Sequence, residues 1–560
     1  MDAMNTFSAV RDEISAENML DTVRKIASWE RLSGSAEELE AFHYLKKRLE
    51  AYDYRTRLLS CDAYISLPVS CRLLIDGVEV RAQTHSMVPS ARATATLVYC
   101  ASATDINEAD CTGKIVLMRG RAVFAPVQAA QNANAVGIVF VQEAVIRECI
   151  PSGCWGSPTP EDWDLFPKIP VASVVDSDVQ PIVDSLLEGK QIAAELTTVT
   201  DTSWRKIPLL IGDLKSPAET NRFVQFTGHL DSWYYGAVDN GTSNALQLEV
   251  ARLARLHREE LKRNFRVVYF SGHSHGRYAG SAWYADHFWE DLHENCVINI
   301  NTDSVGGVGA DDISHSIVMP ETKGLAVEIV HSQTGQTFEG VRCGRLGDQS
   351  FWNVGLANAF ASFSRQKKIP VSDGRLGFAR GNAELGPGWH TPEDTLDKID
   401  PDNLLRDGKI VGEYVMTFLT ASRLPLDYTL TAEDILHRLE DWAKVAGDAF
   451  DLSGPIQRAG ELLDVCRQFD SAQLEDTVRN EVLLRLGRIL VPLGFTRGNI
   501  YGTEPAMAID PMPSLSPIRA LTAQGTEQWE KMAIRLTLVR AVNYINHSLL
   551  QAIRLLRQSI

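Results

Sequence analysis

Five short segments carry the residue types that hold metal ions or move protons. They are Thr227-Gly-His-Leu-Asp231, Ala237-Val-Asp-Asn-Gly241, Ser271-Gly-His-Ser-His-Gly276, Asn299-Ile-Asn-Thr-Asp303 and Gly388-Trp-His-Thr-Pro-Glu-Asp394. Each follows a run of the kind that forms a strand, and open α/β sheets present their functional loops at strand ends. Imidazoles together with carboxylates suit zinc, manganese, cobalt or iron better than calcium or magnesium. A single His or Asp in a loop is ordinarily structural or solvated. Four or five strand-end segments that each supply one form a constellation. Within the last segment Asp394, like Asp397 beyond it, reads as a helix start, because Thr391-Pro-Glu-Asp resembles an N-cap followed by Pro at the first position.

The elements that must position these residues follow from hydrophobic spacing. Residues 8–30 and 35–51 carry helical patterns, and Arg31-Leu-Ser-Gly-Ser35 between them reads as a stop followed by an N-cap. From about 60 to 200 the texture is short β-rich runs broken by Gly and Pro, such as Lys114-Ile-Val-Leu-Met118 and Gly137-Ile-Val-Phe-Val141. From about 205 to 425 strand and helix patterns alternate, which argues a largely parallel sheet with helices on its faces. Beyond about 428 the patterns are helical. The expected fold class is α/β, a mixed, mostly parallel sheet flanked by helices. Residues 1–58 and 200–427 form that domain discontinuously, 59–199 a β-rich insert, and 428–560 a helical domain. A chain of 560 residues accommodates them at about 150 residues per domain.

Composition narrows the function classes. At 44% hydrophobic and 23% charged the chain is neither disordered nor fibrous. A net charge of −17 argues against nucleic acid and anionic membrane as partners. The nine cysteines are odd in number and include no CxxC pair, so a disulfide framework is not expected. The first residues lack a basic and apolar leader pattern, and no run of 18 apolar residues occurs. The expectation is a cytoplasmic protein.

The five segments, taken together, resemble the M28 zinc metallopeptidases, a family of aminopeptidases and glutamate-carboxypeptidase-like enzymes with a two-metal site. Cys111-Thr-Gly-Lys-Ile-Val-Leu, Ala133-Asn-Ala-Val-Gly-Ile-Val and Ile169-Pro-Val-Ala resemble a protease-associated (PA) domain. The helical tail, with Gly498-Asn-Ile-Tyr501, is similar to a dimerisation domain of the transferrin-receptor and glutamate-carboxypeptidase branch. The resemblance implies one or two divalent ions, zinc foremost, with His229 and Asp303 on the first, Asp239 bridging both and His390 on the second. It also implies that Asp231 orients His229. Two such ions lie about 3.5–4 Å apart and polarise a carbonyl.

One departure stands out. The family places a Glu-Glu pair, general base then metal ligand, six residues before a Gly-Ser, and counting back from Gly280-Ser281 puts Ser274 and His275 there. His275 can bind metal in place of the carboxylate, which raises the site's net charge by one. Ser274 has no useful proton affinity near neutral pH, and general-base assistance is worth typically 10²–10⁴-fold. The base is then His273 or an acid such as Glu384, or an activated substrate needs none, or the reaction is not peptide hydrolysis and either Ser274 binds or His273 moves a proton.

Several other residues have double readings. Arg277 and Arg345 can hold a substrate carboxylate bidentately or serve ion pairs. Tyr235, in Trp233-Tyr-Tyr235, lines an aromatic pocket or packs in the core. Asp348 reads as structural. The functional expectation is a metal-dependent hydrolase of small peptides or amides. Its alternatives are a lyase or other C–N-cleaving enzyme on the same scaffold, and a non-catalytic binding protein. The apolar spacing from Trp529 to Ile553 predicts a long helix, mostly packed inward, in a two-fold homodimer.

Overall fold

The computed structural model describes residues 6–371, 376–508 and 510–560. The leader expectation falls partly on Met1–Asn5, outside the described residues. Two N-terminal helices, α1 (Ala16–Ile26) and α2 (Ala36–Ala51), each start on a serine whose hydroxyl accepts a backbone N–H of the first turn, Ser15 from Asn18 and Ser35 from Glu38. Such a cap satisfies an amide that the helix leaves without a partner. Met19, Val23 and Ile26 from α1, with Phe42, Leu45 and Leu49 from α2, are fully buried in the main core.

The chain next forms β1 (Arg55–Ile75), which runs out of the central sheet into an insert built on β2 (Ala91–Cys100), β3 (Ile115–Arg119), β4 (Gly137–Gln142) and β5 (Val171–Val175). It returns along β6 (Ala193–Leu214). β1 and β6 pair antiparallel from Arg55 opposite Asp213 to Ile75 opposite Ala194. The expected boundaries at 59 and 199 therefore fall inside two long strands that belong to both parts. Within the insert β2, β3, β4 and β5 are parallel neighbours, and their apolar side chains pack into cores of their own.

After the insert come β7 (Phe223–His229), α3 (Ser243–Leu256), β8 (Asn264–Phe270) and β9 (Cys296–Asn301). β7 lies between β8 and β9, parallel to both, and β8 pairs antiparallel with β6. The sheet is mixed and mostly parallel, as expected. Every residue of β7 and β8 is buried, the signature of strands covered on both faces. His229 pairs with Phe270 and Thr227 with Asn301, so the three strands end along one edge. α4 (Pro401–Thr420) then crosses the sheet, started by Asp400, whose carboxylate accepts the N–H groups of Asp402 and Asn403.

The tail consists mainly of α5 (Tyr428–Ala446), α6 (Ser453–Ser471), α7 (Asp476–Phe495) and α8 (Gln528–Arg557). It is fused to the sheet domain rather than tethered to it. The half-buried Arg488 of α7 donates to the carbonyls of His293, Gly355 and Cys296, and the hydrophobic core runs on without a break. The expected inward stripe of α8 divides in two. Ile545, Leu549 and Ile553 are buried, whereas Trp529, Met532, Leu536 and Val539 are 71%, 58%, 55% and 48% exposed.

Glu321 sits at the seam between these parts. Its carboxylate is buried, accepts one hydrogen bond of 2.8 Å from Thr431 Oγ1 and has a second oxygen with no partner. Burial pushes its pKa up to about 7. The folded state therefore holds this proton more tightly than the unfolded chain, where a glutamate titrates at about 4.3. The resulting stability is complete below that value and is lost as pH rises through 7. Glu321→Gln is expected to stabilise the protein at pH 8 by an amount on the order of 1–3 kcal/mol, with the advantage shrinking towards pH 4.5. Urea unfolding of both proteins at the two pH values measures this.

Candidate functional site

The carboxyl ends of β7, β8 and β9 deliver His229, the 271–276 turn and Asp303 to one edge of the sheet. His229 donates from Nδ1 to the carbonyl of Asp231 at 2.9 Å, which fixes the tautomer and leaves Nε2 as the free donor atom. That Nε2 is buried without a hydrogen-bond partner. It faces Asp239 Oδ1 at 3.3 Å and Asp303 Oδ2 at 3.4 Å. The other oxygen of Asp239 lies 3.2 Å from His390 Nε2, so a single carboxylate sits between two imidazoles. Burial opposes the charged form of His229, yet Asp303, Asp231 and Asp239 drive its pKa well above the ordinary value. Burial likewise opposes the Asp239 carboxylate, and His229 and His390 hold its pKa well below the usual range. An orphaned imidazole nitrogen ringed by carboxylates is the donor set of a zinc-type ion. Among the described residues, His229, His273 and Asp303 have ligand atoms within 4.8 Å of one another.

The loops that carry these groups are held by buried polar contacts. Asp231 accepts from the amides of His273 and Ser274 at 3.2 and 2.8 Å and from the Ser33 hydroxyl at 2.5 Å. It thus joins β7, β8 and the turn between α1 and α2. Arg31 in that turn is completely buried. It donates to the carbonyls of Ile26, Leu230, Tyr235 and Gly236, which pins the start of the Asp239 loop. Burial brings its pKa down to about 10, so it is cationic at neutral pH. Asp394 is no helix start: it is 3% exposed, and its carboxylate accepts the amides of Val238 and Asp239 at 2.9 Å each. The expected cap instead supports the neighbouring loop, and burial with the nearby Asp239 pushes the Asp394 pKa up to about 7.

The β-rich insert contributes directly. His390 donates from Nδ1 to the carbonyl of Glu148 at 2.7 Å, and its own carbonyl accepts from the Glu148 amide at 3.0 Å. This exchange aims Nε2 at Asp239 and holds His390 at a positive φ of 59°. The neighbouring Arg147 clamps the same loop by donating to the carbonyls of Gly381, Pro387 and Trp389. No spacing rule singles out Arg147 and Glu148 in the sequence, because their partners lie more than 230 positions away.

The departures at 273–275 have distinct geometries. His273 stacks on His229 with centroids 3.6 Å apart and planes 12° from parallel, and its Nδ1 meets Asp348 Oδ2 at 2.9 Å. Asp348, read as structural, thus orients an imidazole of the site. Ser274 is buried and its hydroxyl has no partner. His275 is buried with Nδ1 3.0 Å from the Ser33 hydroxyl, and its ring lies against Trp233 at 4.6 Å. Burial lowers its pKa to about 4, so it is neutral at pH 7 and fit to act as a ligand.

Of the three substrate-binding candidates, the two arginines are engaged within the fold. Arg277 donates to the carbonyls of Ile150 and Ala506. Arg345 donates to the Phe495 carbonyl, lies 3.7 Å from Glu504 and covers Trp352. Both join segments of the fold rather than present a free fork. Tyr235 is 41% exposed, and its carbonyl serves Arg31. Glu384 pairs with Arg365.

Residues 210–415 match the family model of peptidase family M28, and residues 93–182 match that of the PA domain. A probable glutamate carboxypeptidase, VP8 of Zea mays, is 25% identical over 366 residues, covering 57% of this chain and 49% of its own length. Aminopeptidase YwaD of Bacillus subtilis is also 25% identical, over 57% of this chain and 65% of its own. The chain thus spans about half to two thirds of these relatives. Among solved structures, an aminopeptidase from an Aneurinibacillus strain aligns with a TM-score of 0.54 at 22% identity, covering 73% of this chain and 95% of that one. A peptidase M28 precursor from Shewanella amazonensis gives 0.56 at 18% identity, over 73% and 96%. These likenesses establish the fold. The strand ends that gather His229, Asp239, Asp303 and His390 thus lie within the segment that matches peptidase family M28, and much of the β-rich insert lies within the segment that matches the PA domain.

Proposed function

We propose that the protein is a metal-dependent hydrolase of small peptides or amides. The observation that carries this reading is the unpartnered His229 Nε2 facing Asp239 and Asp303, with His390 on the far oxygen of Asp239. In this reading His229, Asp239 and Asp303 hold one ion, zinc foremost. Asp239, His390 and His275 hold a second, since Ser33 occupies His275 Nδ1 and leaves Nε2 uncommitted. Such ions supply Lewis acidity towards a scissile carbonyl and lower the pKa of water. The protein's own residues supply orientation and proton transfer. Asp348 fixes the His273 ring, whose second nitrogen accepts a proton from the attacking water and returns it to the leaving amine. Ser274 brings no charge, and its free hydroxyl is a donor for a substrate oxygen. Trp233, packed between His275 and His390, walls the site.

The buried Ser274 also favours a second reading, metal-dependent C–N bond cleavage by elimination, because no carboxylate takes up the expected base position. A panel of dipeptides and aminoacyl amides, assayed with zinc in solvent enriched in heavy oxygen, separates the two. Hydrolysis is expected, with the label in the acid product. Replacement His273→Ala is expected to lower turnover by about 10²–10⁴-fold while zinc content stays within about two-fold. An unsaturated, unlabelled product would instead establish elimination, and an unimpaired His273→Ala enzyme would remove His273 from proton transfer.

The same reading includes a homodimer. The outward half of α8 carries Trp529, Met532, Leu536 and Val539 at intervals of three and four residues, which brings them onto one face. A second copy of this face, related by a two-fold axis, is its proposed cover. Light scattering at micromolar concentration is expected to give twice the chain mass, and Leu536→Asp to give a single chain. A single-chain mass for the unaltered protein would contradict the dimer.

A further inference from the structure

The sheet has a second end, where β7 and β8 begin, and a cleft of about 340 Å³ opens there. Phe223 in its wall starts the strand that His229 ends, so the cleft lies roughly 20 Å from the candidate metal site at about 3.3 Å per residue. Its charged lining is Arg55, Arg57, Lys215, Arg266, Asp213 and Asp291. Four cations face two carboxylates, a local surplus of positive charge in a chain whose net charge is −17.

The cations are of two kinds. Arg266 is fixed: it pairs with Asp213 at 2.7 Å and Asp291 at 2.8 Å, and its guanidinium lies 4.0 Å above the Phe223 ring. Arg57 pairs with the other oxygen of Asp213 at 3.1 Å. Arg55 and Lys215, both exposed on the rim, have no carboxylate within 4.0 Å among the described residues. A built floor of two paired guanidinium groups is thus rimmed by two further cations. Such an arrangement repels cations, and it matches a small ligand with two negative charges. Guanidinium forks and a lysine point charge approaching from different directions suit the oxygens of a tetrahedral anion.

We propose that this cleft is a binding site for a phosphate-bearing small molecule, separate from the metal site. The probe is inorganic pyrophosphate, titrated calorimetrically into the full chain with ionic strength held constant by sodium chloride. Saturable one-to-one binding with a dissociation constant of about 1 mM or tighter is expected. The double substitution Arg55→Glu with Lys215→Glu reverses the surplus at two exposed positions and is expected to weaken binding at least ten-fold, with circular dichroism unchanged. Two results would overturn the proposal. One is the absence of saturable heat, and the other is equal binding by the double variant, which would put the anion elsewhere, for example at the metal loops. Citrate provides the last arm, since citrate binding without pyrophosphate binding would also overturn the assignment to phosphate.

Discussion

Three carboxylates, Asp231, Asp239 and Asp303, surround one buried imidazole, and the rest of the structure answers to that concentration of charge. Taking ionised groups out of water is costly unless each finds a partner. The protein meets the cost with donors fixed in advance. Asp231 takes two backbone amides and a serine hydroxyl, while Asp239 and Asp303 turn towards His229 Nε2. A proton on His229 partly balances the cluster, and a divalent cation would balance it more fully. The charge pattern and the unpartnered nitrogen point to the same occupant.

The positioning work is spread over segments far apart in sequence. Arg31 and Ser33 come from the turn after α1, Asp394 from beyond the last strand of the edge, and Arg147 and Glu148 from the PA insert. Each contacts the backbone of a loop that carries one of the clustered side chains, or a group hydrogen-bonded to one. The insert is therefore part of the site's architecture, because the Glu148 carbonyl sets the direction of His390. These supports matter to the proposed metal site because zinc–nitrogen bonds, at about 2.0–2.1 Å, tolerate little movement of the imidazoles.

Much of this was legible in the sequence, and the reasons are local. Buried parallel strands read as short apolar runs, as in Val267–Phe270, and the chemistry-bearing residues close or follow them in β7, β8 and β9. Helix starts at Ser15 and Ser35 show in the residue types themselves. What could not be read are contacts across the fold. Asp348 beside His273, Glu148 beside His390 and Asp394 beneath the Asp239 loop join residues separated by 75, 242 and 155 positions. No periodicity marks such pairs. Asp394 misled for a physical reason, since the Thr-Pro-Glu-Asp pattern that caps a helix also makes the tight turn which points this carboxylate at two amides. The arginines at 277 and 345 carry the right chemistry for a substrate, but each directs terminal guanidinium nitrogens to backbone carbonyls elsewhere in the fold.

The central claim is that the cluster at the end of β7 holds a divalent cation, and metal content tests it most directly. The purified protein, loaded with zinc and dialysed against metal-free buffer, should retain at least one zinc per chain by inductively coupled plasma mass spectrometry. Asp239→Asn, which weakens the carboxylate facing both imidazoles, should lose most of it while remaining folded. A folded wild-type chain that keeps no zinc, or an Asp239→Asn variant that keeps as much as wild type, would contradict the metal centre described above.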